Sequence, residues 1–143
     1  MTDPTILKLG GSVITDKDSP ETVDDAAVKR VLDAVETANK NPSDDLRLVI
    51  VHGGGSFGHV HAAEHGVSTT EGTTEAAAAN AIHGAMKRLN RVVVDQLHDR
   101  GVEALPVHPL SAAARDETGA LSLPATATAG LLDEGFVPVL HGD

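Results

Sequence analysis

The chain has no cysteine, tryptophan or tyrosine and only two phenylalanines in 143 residues. Without cysteine there can be no disulfide and no thiolate-ligated metal, which suits a reducing interior. Without aromatics the core has to be built from Val, Leu, Ile and Ala. The 41% hydrophobic content supplies enough of these for one domain with a substantial core. Cations are scarce as well. Eleven Lys and Arg face 21 Asp and Glu, a net charge of −10. Such a surface repels a nucleic-acid backbone, so nucleic acid is not an expected partner. It also means that any phosphate site must gather its cations locally. The acidic, lysine-poor, Ala/Thr/Val-rich bias fits a protein of high-salt cytoplasm, where salt screens self-repulsion. An ordinary acidic enzyme is the alternative. No apolar run approaches the roughly 20 residues of a membrane span, and the N-terminus lacks a signal peptide's basic and apolar regions. The expectation is a soluble cytoplasmic protein with no membrane partner.

What is present centres on Leu46–Gly66, LRLVIVHGGGSFGHVHAAEHG. Leu46–Val51 is a short β-branched apolar run, the pattern of a strand buried on both faces of a parallel sheet. Gly53, Gly54 and Gly55 follow, and then a segment able to open a helix. Strand, glycine turn and helix start together aim backbone N–H groups at an anion. His59 stands four residues past the last glycine, near enough to face that anion. A second strand, Thr5–Leu9, runs into Gly10-Gly11-Ser12 with Lys8 just before. Two strands of one sheet, each ending in a glycine turn, would let two phosphates meet at the carboxyl edge, where open α/β sheets bind ligands.

Between these turns, Asp24–Ala38 carries Val28, Val31, Leu32 and Val35 at helical spacing, and Asn39–Asp45 is a loop. Val60–His65 continues a helix that Gly66 stops. Val67–Thr74 is a loop, and Glu75–Arg100 is the longest helix, with Ile82, Met86, Leu89, Val93 and Leu97 as its stripe. Val102–Val107 is a strand, Ala114–Leu123 a small hairpin, Thr126–Glu134 a short helix and Phe136–Leu140 a last strand. Alternation of this kind predicts an α/β, doubly wound, mostly parallel sheet with helices on both faces. His61 and His65 are spaced i, i+4 like metal ligands, but no third ligand is evident and no metal site is expected.

ILKLGGSVITDK (Ile6–Lys17), VIVHGGGSFGH (Val49–His59) and VPVLHGD (Val137–Asp143) together resemble the amino acid kinase family. Within it the pattern is most similar to the archaeal-type isopentenyl phosphate kinases, with Ser56-Phe57-Gly58-His59 as the discriminating piece. The resemblance covers nearly all of the chain but only the first half of a family member. It implies one unit, residues 1–143, acting as the N-terminal acceptor-binding half of a two-half kinase whose nucleotide-binding half is absent.

The resemblance also implies residue roles. His59, Lys17 and Lys8 would be catalytic. Lys8, Gly10, Gly11, Ser12 and Gly55 would hold the phosphates of ATP. Gly53, Gly54, His59 and Gly142 would bind the acceptor phosphate, with Ile82 and Met86 against its tail. ATP with Mg²⁺ is implied, Asp143 is a candidate support for the ion or the lysines, and a homodimer is the expected assembly. The implied reaction is phosphorylation of isopentenyl phosphate. The alternatives are a family member acting on a phosphonate or a carboxylate, and a non-catalytic phosphate-binding fragment.

Overall fold

The computed structural model describes residues 2–41 and 45–142. Asp143 and part of the expected 39–45 loop lie outside the described residues. Four parallel strands form the sheet: β1 (Thr5–Leu9), β2 (Leu48–His52), β3 (Ala104–Val107) and β6 (Val137–His141), in the order β1-β2-β6-β3. Three of the expected strands shift by a residue or two, β3 starting at Ala104 where Val102 is expected. The strand expected from Leu46 runs instead from Leu48 through His52, and the one expected to end at Leu140 includes His141. In both, the last strand residue is a buried histidine that apolar patterning alone leaves out. A two-stranded antiparallel hairpin, β4 (Ala114–Arg115) with β5 (Leu121–Ser122), stands apart from the sheet.

Alternation along the strands sorts the two faces. Leu48 and Ile50 of β2, with Val137 and Val139 of β6, face helices α2 (Asp25–Asn39) and α4 (Ala76–His98) and make the main core. Ile50 and Val139 are fully buried, as is Leu89 of α4. Burying each such side chain contributes roughly 1.5–3 kcal/mol. Helix α2 starts where expected because Asp24 caps it, its carboxylate accepting the Ala27 N–H at 3.0 Å. The opposite face carries Val49 and Leu140 under helix α5 (Thr126–Asp133) through Leu132. Helices therefore cover both faces. At the β1 end the second face is open, and Ile6 is 69% exposed. Among the described residues no helix is long and apolar enough to cross a membrane.

Register places the business end. Leu9 pairs with His52, and His52 with His141, so β1, β2 and β6 end level with one another. Gly10, Gly53 and Gly142 thus follow three adjacent strands at one carboxyl edge. Short helix α1 (Gly11–Ile14) and helix α3 (Gly55–Glu64) rise from this edge. Gly66 has φ +64, as the expected stop of α3 requires.

Candidate functional site

The two glycine turns interlock. A Cβ built on Gly11 would stand 2.8 Å from Gly55 Cα and 2.9 Å from the Gly54 carbonyl carbon. One on Gly55 would stand 2.7 Å from the Gly11 carbonyl carbon and still nearer to Thr15 Oγ1. Gly55 also has φ +48, which L side chains rarely adopt. Backbone packs on backbone here, which only glycine allows. Gly53 is part of the same contact, since its Cβ would lie 2.8 Å from Gly11 N.

Thr15, 2% exposed, locks the pair from below. Its hydroxyl donates to Gly11 O at 2.6 Å and accepts the Ser56 N–H at 3.0 Å. Ser56 then holds the loop that carries Lys17. Its carbonyl accepts the Glu21 N–H at 3.1 Å, and its hydroxyl lies 3.3 Å from both the N–H and the carbonyl oxygen of Thr22. Glu21 takes φ +46, unusual for a residue with a Cβ. Its carboxylate accepts from Arg88 of α4 at 3.0 Å through Nε and at 2.5 Å through Nη2. That hydrogen bond holds the Glu21 carboxyl below its usual range, against a smaller upward push from desolvation. His61 of α3 lies 3.6 Å away on the other carboxylate oxygen. The loop, α3 and α4 are thereby clasped at one point.

Lys17 and His59 face one cleft of about 380 Å³ together with Ser12, Asp18, Gly55 and Ser56. His59 is exposed on the first turns of α3, whose N-terminus brings positive backbone charge to the same place. Met86 of α4 closes the turn from the far side. It is 2% exposed, and its Sδ would stand 2.8 Å from a Cβ on Gly54. Ile82 lies about one turn earlier and is half-buried. Gly142 is tied to this edge through its N–H, which donates to His52 O at 3.2 Å.

The structure thus brings together Lys17, His59, Ser12, Gly11, Gly53, Gly54, Gly55, Gly142 and Met86, with Gly10 as the cap before α1. It leaves Lys8 outside the cleft. Lys8 pairs in register with Val51 and is exposed on the opposite face of the sheet. His61 and His65 do not form a metal pair, because His61 turns toward Glu21 and Glu64. Among the described residues no three His, Asp or Glu side chains are placed to hold a metal ion. The sequence reading missed Thr15, Glu21 and Arg88, and it missed Asn90, His52 and His141, all three buried at this edge. For the last three a signal existed. Asn90 interrupts the apolar face of α4, and each histidine sits between an apolar strand and a glycine.

The pattern of the Amino acid kinase family matches residues 3–143. A protein of Haloferax volcanii called isopentenyl phosphate kinase is 62% identical over 138 residues, which is 96% of this chain and 54% of that protein. One of the same name from Methanothermobacter thermautotrophicus is 39% identical, over 96% of this chain and 52% of its own length. The crystal structure of a Thermoplasma acidophilum isopentenyl phosphate kinase product complex superposes with a TM-score of 0.77 at 31% identity, over 99% of this chain and 56% of that one. A UMP kinase from Ureaplasma parvum, at 16% identity and a TM-score of 0.62, shares the fold. The chain spans about half the length of the relatives it matches.

Proposed function

Because the chain belongs to the amino acid kinase family, we propose that it is the acceptor-binding half of a kinase that converts isopentenyl phosphate and ATP to isopentenyl diphosphate and ADP. The observation that carries the reading is Lys17 and His59 facing one cleft beside interlocked glycine turns, in a chain 62% identical to a protein called by that activity. His59 donates a hydrogen bond to the acceptor's phosphate and the Gly54 N–H completes its cradle, while Gly53 and Gly142, whose own N–H groups are held by Leu9 O and His52 O, border it with no side chain in the way. Such a charge-assisted bond contributes roughly 1.5–3 kcal/mol. Ile82 and Met86 border the tail. Gly10, Gly11, Ser12 and Gly55 take the donor's phosphates, and Lys8 reaches them from the neighbouring face once the nucleotide-binding half is in place.

The acceptor needs no general base. A phosphate monoester with a second pKa of about 6 is already a dianion at neutral pH, so one of its oxygens attacks directly. That non-bridging oxygen forms a bond to the γ-phosphorus as the bond from the γ-phosphorus to the β–γ bridging oxygen breaks, and ADP leaves with the bridging oxygen. Charge grows on the equatorial oxygens, and Lys17 is the cation assigned to it. A magnesium ion accompanying the nucleotide is part of the proposal, but the described residues offer it no three-ligand set and no step is assigned to it. Assembly as a homodimer and a cytoplasmic location belong to the proposal too.

The test is an ADP-release assay of the protein carrying this chain together with its second half. Isopentenyl phosphate, acetylglutamate and a small phosphonate are compared side by side. Turnover of isopentenyl phosphate well above the other two supports the reading. Preference for either of the others overturns it in favour of a different acceptor within the family.

A further inference from the structure

The polar cluster behind the glycine turns takes no part in the chemistry above. His52 and His141 are register partners at the ends of β2 and β6, 1% and 2% exposed, with ring centroids 5.7 Å apart. Each makes the same local contact. Nδ1 of His52 lies 3.0 Å from Gly53 O, and Nδ1 of His141 lies 3.3 Å from Gly142 O. A carbonyl only accepts, so Nδ1 carries the proton in both rings. In a neutral ring, Nε2 must then accept, and a donor meets it in each case. For His52 it is the Asn90 side-chain amide at 3.1 Å, whose nitrogen also donates to Val139 O at 3.2 Å. For His141 it is Nδ1 of His108 at 2.7 Å. One neutral tautomer of each ring satisfies all of these contacts together.

The neighbouring positions on this face of both strands are Leu48, Ile50, Val137 and Val139. Leucine at 52 or 141 would extend that apolar surface without a polar side-chain atom of its own to satisfy. What leucine could not do is hold the carbonyl of the glycine that follows. We infer that His52 and His141 are positioning residues for the acceptor site. Each ring, locked with its proton on Nδ1, fixes one glycine carbonyl, and for His52 that carbonyl sets the direction of the Gly54 N–H in the turn beyond it. The two turns are set together, because Gly142 N–H donates to His52 O. Asn90 joins them to α4 about one turn after Met86, which packs under Gly54. The inference rests on the proposed function only for what the turns bind.

The experiment has two parts. Long-range ¹H–¹⁵N spectra of the unmodified protein read the tautomers directly, and both rings are expected with the proton on Nδ1. A proton on Nε2 in either ring overturns the lock. Kinetics of the complete kinase then compare His52→Leu, His52→Asn and His52→Gln. Asparagine places an amide N–H near the Nδ1 position, whereas glutamine reaches only toward Nε2. His52→Leu and His52→Gln are expected to raise KM for isopentenyl phosphate about tenfold, the scale of one hydrogen bond, with KM for ATP unchanged and His52→Asn close to wild type. An unchanged acceptor KM in His52→Leu, or rescue by glutamine but not asparagine, refutes the positioning role. Wild-type enzyme that ignores isopentenyl phosphate refutes the functional reading instead. The tautomer spectra, and amide shifts of Gly53–Gly55 on titration with inorganic phosphate in wild type and His52→Leu, then decide this inference. Loss of those shifts in the variant supports it, and equal shifts overturn it.

Discussion

Replacing Gly55 by alanine puts the interlocked turns to a quantitative test. The new Cβ meets three things at once. The backbone sits at φ +48, where an L side chain costs about 1–2 kcal/mol. The Gly11 carbonyl carbon lies 2.7 Å from the new atom, and forcing a group into so rigid a site costs about 1–3 kcal/mol. Thr15 Oγ1 must also move, which endangers its bonds to Gly11 O and Ser56 N at about 1 kcal/mol for one lost. The sum is about 3–6 kcal/mol. A chain of 143 residues unfolds with an entropy that converts each kcal/mol into about 3 °C, so Tm should fall by about 9–18 °C. Gly66→Ala is the control. It has φ +64 but nothing within 4 Å of its Cβ, so only the backbone cost of about 1–2 kcal/mol applies, a fall of about 3–6 °C. Thermal melts followed by circular dichroism, at a fixed high salt concentration, give both values. If the two variants melt together, the turns are not in rigid contact and the close approach of Gly11 to Gly55 does not constrain the site.

His59→Ala should lower kcat/KM for the phosphate acceptor by roughly 10²–10⁴-fold. Because the side chain is exposed, Tm should hardly move, and unchanged kcat/KM would remove His59 from the site. The Glu21 carboxyl is held below its usual value of 4.5, first by its hydrogen bond to Arg88. A depressed carboxyl stabilises the fold above its unfolded pKa, and that stabilisation fades as pH drops through the folded value. For a partly exposed pair it amounts to about 0.5–1 kcal/mol. Denaturant titrations should therefore show wild type ahead of Glu21→Gln at neutral pH, with the gap closing below pH 4.5. A gap independent of pH would mean that the charge contributes nothing. Helix α4 opens with Ala76–Ala79, where Ala78 is buried and Ala79 half-buried. The absence of a bulky side chain before Ile82 and Met86 should let longer tails bind, each added buried CH₂ contributing about 0.8 kcal/mol. Geranyl phosphate is expected within a hundredfold of isopentenyl phosphate in kcat/KM, and Ala79→Phe should widen the difference. A larger deficit that Ala79→Phe leaves untouched would place the pocket floor elsewhere.

The parts of this site that could be read from the sequence are those whose cause is local. A glycine triplet after an apolar run needs no partner to declare a turn, and Asp24 caps α2 through a contact three residues away. What stayed hidden depends on register and on crossings between elements. Nothing near Glu21 announces that it reaches Arg88, 67 residues on, and its positive φ makes sense only once Ser56 is seen holding its N–H. His52 and His141 are 89 residues apart, yet parallel pairing of β2 with β6 makes them neighbours. Apolar periodicity ended both strands one residue early because it treats histidine as polar and therefore outside. A histidine of fixed tautomer whose every ring nitrogen has a partner breaks that rule at little cost. The same feature also explains Lys8. Strand alternation sends it to the face away from Lys17, so two lysines near two similar glycine turns are not interchangeable. Lys17 reaches its cleft from a loop clasped to α3 and α4, whereas Lys8 is exposed on the opposite face, the role proposed for it being toward the nucleotide. If that division is right, Lys8→Ala should raise KM for ATP, and Lys17→Ala should lower kcat with both KM values nearly kept.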